Sequence, residues 1–410
     1  METNKPSFWQ SKRRQDAVMS WVLYLVTWVG ALIFVTPLVW MISTSLKAPD
    51  DIFKRPPKWF PQSNVVLSYD VEIKAQRDGK AVVVKTAEGG HRIEIGGWVH
   101  SVPSEASLKI AKSDTIKKGQ LIASMPKSGV VQFGEDGKNR VIKVIGPKGG
   151  SIREYQILPN TKVKVKEGQE VKPNTLLAVI NPQWQNYVKA WAPEALDETF
   201  NRYLMNTVII TVVAIIGVIF SSTLVAYGFA RFRFPGRNVL FLVMISTMMI
   251  PVQVTMIPTF ILFKYVGWID TFLPLIVPTF FGGGAFNIFL MRQFFLTIPF
   301  ELDEAAKIDG CNYIQTFYII LMPLVKPALV TVSIFGFVYN WNDFLNPLIY
   351  LNSSSNYTLA LGLQTFTTMY GTDYNLMMAA STIVLLPILI VFFFGQRYFI
   401  EGVATSGLKG

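Results

Sequence analysis

The sequence is poor in the residues from which most active sites are built. Of 410 residues, one is cysteine and two are histidine. Cys311 has no partner for an intramolecular disulfide and cannot build a cysteine metal cage. His91 and His100 stand nine residues apart, which is no metal-ligand spacing. No GxxxxGK[ST] segment occurs, so the chain does not hold a nucleotide in a P-loop of its own. Neither a catalytic residue nor a metal site is expected. Charge is scarce as well, at 16% of residues, against about a quarter in soluble domains. About 32 of the 65 charged residues fall in residues 62–190, and the rest are spread thinly over some 281 others. A single soluble enzyme domain is excluded. The net charge of +11 is divided between that segment and the ends of apolar runs, so no nucleic-acid partner is expected.

What the chain has instead is long apolar runs. Runs free of charge cover residues 17–46, 203–230, 238–263, 271–291 and 374–396, and a sixth, 327–352, is interrupted only by Asp343. About 20 apolar residues suffice for a helix to cross a bilayer, so six spans are predicted, with Pro251, Pro258 and Pro278 expected to kink or break two of them. Run one is too long for a signal-peptide core and has no small-residue cleavage site, so it reads as a retained helix. Lys and Arg gather before span one, between spans two and three, between spans four and five, and after span six, whereas residues 352–373 contain none. The positive-inside rule then puts both termini in the cytoplasm, and the long lysine-rich segment outside.

Within residues 62–182 the pattern changes to period-two alternation with glycine-rich turns, which predicts an all-β domain with its own core. The spacing Leu108-Lys109-Ile110, Ile116-Lys117, Leu121-Ile122-Ala123 recurs 55 residues later as Val163-Lys164-Val165, Val171-Lys172, Leu176-Leu177-Ala178. These units resemble the barrel-sandwich hybrid of lipoyl and biotinyl carrier domains. Carrier chemistry does not follow, because Ser124-Met125-Pro126-Lys127 departs from the biotinyl Met-Lys-Met pattern and the domain is expected outside the cell. A docking or bracing module is expected.

Between spans four and five stands Glu304-Ala305-Ala306-Lys307-Ile308-Asp309-Gly310, then nine residues, then Ile320-Leu321-Met322-Pro323. This resembles the EAA loop of binding-protein-dependent ABC importer permeases, with Met322 where the pattern has Leu, and is most similar to the maltose-type G subunit of the carbohydrate importers. Ala226-Tyr227-Gly228-Phe229-Ala230-Arg231, Trp341-Asn342-Asp343-Phe344 and Gln396-Arg397-Tyr398-Phe399 extend the resemblance, which covers roughly 290 residues. The fold expected is an α-helical polytopic membrane protein, six transmembrane helices in a type I ABC importer fold with an inserted all-β, barrel-sandwich-hybrid-like domain. Its parts are a cytoplasmic N-terminus and first span at 1–61, an extracytoplasmic β domain at 62–182, and a permease core at 183–410 with its coupling loop at 301–323.

The resemblance implies an ATP-driven importer for a sugar or oligosaccharide in the cytoplasmic membrane. Its partners would be a second permease subunit, two ABC ATPase subunits and an extracytoplasmic solute-binding protein, with membrane lipid around the spans. This chain would hold no cofactor, ATP and Mg being bound by the ATPase. Glu304, Ala305, Ala306, Asp309 and Gly310 would make the ATPase contact, and the tail 402–410 would also reach the ATPase dimer, as in the maltose-type subunit. Asp343, the one acid inside a span, is a functional candidate by default. It lines a cavity mouth or bonds a neighbouring helix with Asn340 and Asn342. Gly282-Gly283-Gly284 allows close packing or a break at a cavity, with Asn287 one turn on. Gln364, Tyr370 and Tyr374, in a long external loop, are candidate sugar or binding-protein contacts. An importer for a non-sugar solute, or a membrane anchor presenting the β domain, are the alternatives.

Overall fold

In the computed structural model, the residues described are 12–86, 90–136, 139–193, 199–368 and 371–407. They form two compact units, Met1–Asn186 and Tyr187–Gly410. The first unit begins with α1 (Lys12–Ser45), a 34-residue helix whose side chains are mostly exposed apolar groups. At about 1.5 Å per residue it spans roughly 50 Å, ample for a bilayer. Beyond it, Asp51 is buried and accepts hydrogen bonds from Lys54 Nζ at 2.5 Å and Ser63 Oγ at 2.9 Å. Burial raises the Asp51 carboxyl, but Lys54, Ser63 and Lys58 together hold it below its ordinary value.

The β region contains β1 (Ser63–Val66), β2 (Glu72–Lys74), β3 (Gly79–Lys85), β4 (His91–Ile95), β5 (Trp98–Val102), β6 (Ser107–Leu108) and β7 (Thr115–Ile116). It continues with β8 (Leu121–Ser124), β9 (Gly129–Asp136), β10 (Asn139–Ile145), β11 (Ser151–Ile157), β12 (Thr161–Val163), β13 (Glu170–Val171) and β14 (Leu176–Ile180). The sheets come in matched pairs. β2-β8-β6 corresponds to β1-β14-β12, and β5-β4-β3-β7 to β11-β10-β9-β13. The 55-residue repeat is thus the visible part of a whole duplication. Loop bonds repeat too: Ala111 N donates to Asp114 Oδ2 and Lys117 N to Gln120 Oε1, as Lys166 N does to Gln169 Oε1 and Lys172 N to Thr175 Oγ1. One copy, β2 to β8, is contiguous and lies in sequence between the first strand of the other copy and its remainder. Alternating inward residues of both copies, Ile93, Ile95, Ile122, Val131, Val144 and Leu177 among them, form one core. Ser63 pairs with Ile180, so the region's two ends are adjacent. Gln183 N donates to Leu46 O and Asn186 Nδ2 to Ser45 O and Lys47 O, tying the flanks together.

After α2 (Gln185–Trp191), the helical unit is built on α3 (Phe200–Arg231), 32 residues long. α4 (Arg237–Ser246) and α5 (Val252–Tyr265) follow, then α6 (Leu273–Gly282) and α7 (Ala285–Thr297). The loop helices α8 (Glu301–Ile308), α9 (Tyr313–Gln315) and α10 (Met322–Leu324) precede α11 (Lys326–Trp341) and α12 (Leu345–Tyr350). A folded loop with α13 (Leu359–Gly362) and a small hairpin, β15 (Thr367–Thr368) and β16 (Gly371–Thr372), leads to α14 (Tyr374–Gly407).

Four helical stretches among the described residues are long and apolar enough to cross a membrane, or six if each of two bent pairs crosses as one span. The expected third span is broken at Pro251 with a 96° bend. Proline lacks an N–H and disfavours the helical conformation in the residue before it, and Ile250 is accordingly extended, with ψ 116°. The expected fifth span does not run unbroken over 327–352. It bends by 77° from the preceding loop helices, ends at Trp341, and restarts at Leu345. In the fourth, Gly283 and Gly284 have φ of +56° and +79°, a conformation costly for other residues. A Cβ on Gly283 would also come within 2.8 Å of Ser222 N. The glycines thus serve both expected roles, a break and a close approach.

Candidate coupling loop and transport cavity

The coupling loop is fastened to the end of α3. Arg231, its last residue, donates from Nη2 to Ile298 O at 3.0 Å, lies 4.6 Å over the Phe300 ring, and stands 3.4 Å from Asp303 Oδ2. The Arg231 side chain is 3% exposed and that of Asp303 19%. Burial pushes the Asp303 carboxyl above its ordinary value, and the guanidinium offsets part of that rise. One turn earlier, Tyr227 OH donates to Tyr313 O at 3.1 Å, and its ring packs on Phe295 and Phe317. Both halves of the loop are therefore held by one helix.

α8 is acidic in its first turn, with Glu301, Asp303 and Glu304, as the helix dipole favours. It closes in a Schellman turn: Cys311 N donates to Ala306 O at 2.9 Å and Gly310 N to Lys307 O at 3.2 Å. Gly310 has φ +84°, with nothing within 4 Å of where a Cβ would stand. Asn312 and Gln315 then form a capping box, and residues 316–321 form a π-helical turn. Of the five residues expected at the ATPase contact, Ala306 needs correction. Glu304, Ala305, Asp309 and Gly310 are exposed, but Ala306 is 2% exposed and turned inward. Its small size lets α8 lie close to the bundle, and Ile308, 86% exposed, takes the outward place.

A cavity of about 660 Å³ opens between α3, α5, α6, α7, α11 and α12. Asn287, Asn340 and Asp343 line it together. Asn342 does not. It is exposed and donates to Val338 O at 2.9 Å, one turn back on its own helix. Asp343 bonds no neighbouring helix through the asparagines expected. Its oxygens accept from Asn346 N at 3.2 Å and Asn346 Nδ2 at 2.8 Å, so it caps the start of α12 while facing the cavity. Sequence reasoning missed Thr255, Thr259, Tyr339 and Asn346 on the walls. Thr255 and Thr259, four apart on one face of α5, carried a signal; Tyr339 and Asn346 stand on either side of the break between α11 and α12, and no periodicity joins them.

At the opposite end from Arg231, α3 holds the loop over residues 352–363. Asn206 Nδ2 donates to Ser355 O and Tyr357 O, and Thr207 Oγ1 accepts from Leu359 N at 2.8 Å. Asp270, in the α5–α6 turn, accepts from Asn352 N at 2.9 Å, Ser353 N at 3.0 Å, Ser353 Oγ and Asn356 Nδ2. Burial alone would raise this carboxyl, but those donors outweigh it and hold it well below the usual carboxylate range. Asp270→Ala is therefore expected to raise amide exchange at Asn352 and Ser353 on the order of tenfold or more. In the wild type this latch is fully present above pH ~4 and lost only as pH falls below that. Unchanged exchange at both amides in the variant would remove the latch. Gln364 is exposed beside this loop and Tyr374 opens α14. Tyr370, the tail residues 408–410, and the side chains from 397 onward lie outside the described residues. Among the described residues no cluster of His, Cys, Asp and Glu could hold a metal.

Residues 214–405 match the family described as binding-protein-dependent transport system inner membrane component. The chain is 38% identical over 262 residues to the arabinooligosaccharides transport system permease protein AraQ of Halalkalibacterium halodurans, covering 63% of this chain and 92% of the relative. It is 34% identical over 227 residues to the sn-glycerol-3-phosphate transport system permease protein UgpE of Yersinia pestis, covering 54% and 80%. The crystal structure of a bacterial ABC transporter involved in the import of the acidic polysaccharide alginate has a chain that is similar in fold, with TM-score 0.56 at 17% identity over 94% of this chain and 98% of that one. The helical unit has the type I importer fold, and the chain is a multi-pass inner-membrane protein and not an enzyme. It belongs to the family of binding-protein-dependent transport system inner membrane components, as a permease subunit of an ABC importer.

Proposed function

We propose that this permease carries a sugar or oligosaccharide and couples closure of its ATPase partners to alternating access of the cavity. The carrying observation is that one continuous helix, α3, fastens the coupling loop at one end through Arg231 and Tyr227, contributes Val218 to the cavity wall, and holds the loop at 352–363 at its other end. Push on α8 and the same helix moves at the far side, a shift between two packings. Glu304, Ala305, Asp309 and Gly310 make the ATPase contact in this reading, and Asn287, Asn340 and Asp343 lie on the path. A second permease subunit completes the path, two ATPase subunits bind ATP and Mg, and a solute-binding protein delivers cargo from outside. Both termini are cytoplasmic, and the β region at 62–182 is extracytoplasmic.

The two relatives' names differ in the charge of their solutes, one being named for arabinooligosaccharides and the other for sn-glycerol-3-phosphate, which bears a phosphate. The test is ATP-driven accumulation of radiolabelled arabinotriose in proteoliposomes holding the complete importer and its binding protein. ATP hydrolysis stimulated by the binding protein without accumulation of any oligosaccharide tried would overturn the sugar reading.

The β region serves docking in this reading. It carries about 19 Lys and Arg against 12 acids, a surface suited to an acidic partner. Replacing residues 63–181 by a short Gly/Ser linker is expected to weaken binding-protein affinity on the order of tenfold, more at low salt, with basal ATPase activity intact. Unchanged affinity beside a destabilised permease pair would leave only a brace.

A further inference from the structure

We propose that this subunit's share of the path excludes anions, so that its cargo is an uncharged, hydroxyl-rich solute; the inference rests on the transport reading. Asp343 is the one charged side chain among the residues lining the cavity, and neither Lys nor Arg is among them. A phosphate or uronate entering there meets a like charge between apolar walls, where charge interactions are stronger than in water, and finds no cation to pair with. Hydroxyl groups find the opposite. Asn340, Asn346, Tyr339 and Thr259 on the walls each offer both donor and acceptor capacity. Asp343 accepts from Asn346 N and Nδ2 and from the Leu345 backbone, and a carboxylate has roughly four acceptor positions, which leaves room for a hydroxyl donor. Phe286 and Phe335, with centroids 5.9 Å apart, add apolar surface for the carbon faces of a sugar ring. The volume, about 660 Å³, is within the range of small-molecule sites, roughly 300–1,000 Å³.

The chain's single cysteine makes a test possible that needs no knowledge of the cargo. In a Cys311→Ser background, Thr259→Cys places one thiol in the cavity, and Ser101→Cys on exposed β5 serves as reference. The purified complete importer is treated with methanethiosulfonates of opposite charge, one trimethylammonium-ethyl and one sulfonatoethyl, in the nucleotide-free and ATP-trapped states. At position 259 the cationic-to-anionic rate ratio should exceed the reference on the order of tenfold, and Asp343→Asn should return it towards the reference. Asp343→Ser serves if the asparagine variant fails to assemble. A ratio equal to the reference, a ratio indifferent to Asp343, or no reaction at position 259 in either state would overturn the proposal. Uptake of labelled glucuronate by the wild-type importer would do the same. The reagent ratio reads the cavity without transport, so failure of the sugar reading alone leaves it standing.

Discussion

Gly310→Val should abolish uptake or release the ATPase subunits from membranes. Position 310 sits at φ +84° where α8 ends. A left-handed residue with a side chain costs on the order of 1–2 kcal/mol, more when β-branched. No atom lies within 4 Å of the new Cβ, so this chain presents no clash and the damage is to the backbone turn and to the surface offered to the ATPase. The bonds from Gly310 and Cys311 to Lys307 and Ala306 would be lost together. Gly310→Ala, with the smaller penalty, should keep part of the activity. Normal uptake with normal ATPase retention in the valine variant would remove the coupling role of this turn.

Arg231→Met should cost about 3 kcal/mol or more of stability, because a half of a buried charge pair is left behind. The variant strands the Asp303 carboxylate and deprives Ile298 O of its donor. The defect should also depend on pH in a definite sense. Burial already raises the Asp303 carboxyl, and loss of the guanidinium raises it further. A raised carboxyl favours the protonated folded state, so the stability lost at pH 8 should be partly restored at pH 5. Melting temperatures of the purified complex at the two pH values measure this. A variant as stable as wild type at pH 8, or one whose defect grows on acidification, would show that the pair does not clamp the loop.

Much of this was legible because it is local. The apolar runs located the helices, the 55-residue spacing located β6, β7, β8 and their copies, and Gly310 announced its turn. What was hidden is long-range or directional. Arg231 and Asp303 are 72 positions apart, and no periodicity joins them. Two adjacent alanines on a short helix do not reveal which one faces the bundle, and the burial of Ala306 is set by packing that the sequence does not display. From sequence Asp343 fits a cross-helix bond or a cavity wall equally well, and its capping of Asn346 depends on the helix break after Trp341, which hydropathy alone cannot locate. The duplication was only half visible, since β3 to β5 and β9 to β11 share alternation but few residues. Pro251 foretold a break but not an angle of 96°, which packing sets.

The pairing of Ser63 with Ile180 has a mechanical consequence. Load enters and leaves the β region at neighbouring positions of two antiparallel strands, β1 and β14. A force drawing those two points apart would act across the ladder and open its bonds one after another, as a zipper opens, whereas pulling along the strands would strain several at once. The region is consequently a poor tether between its two flanks. Hung from what is nearly a single point, it can be carried through a transport cycle without feeling tension so long as residues 62 and 181 move as one, and the bonds of Ser45, Leu46 and Lys47 to Gln183 and Asn186 are placed to keep them together.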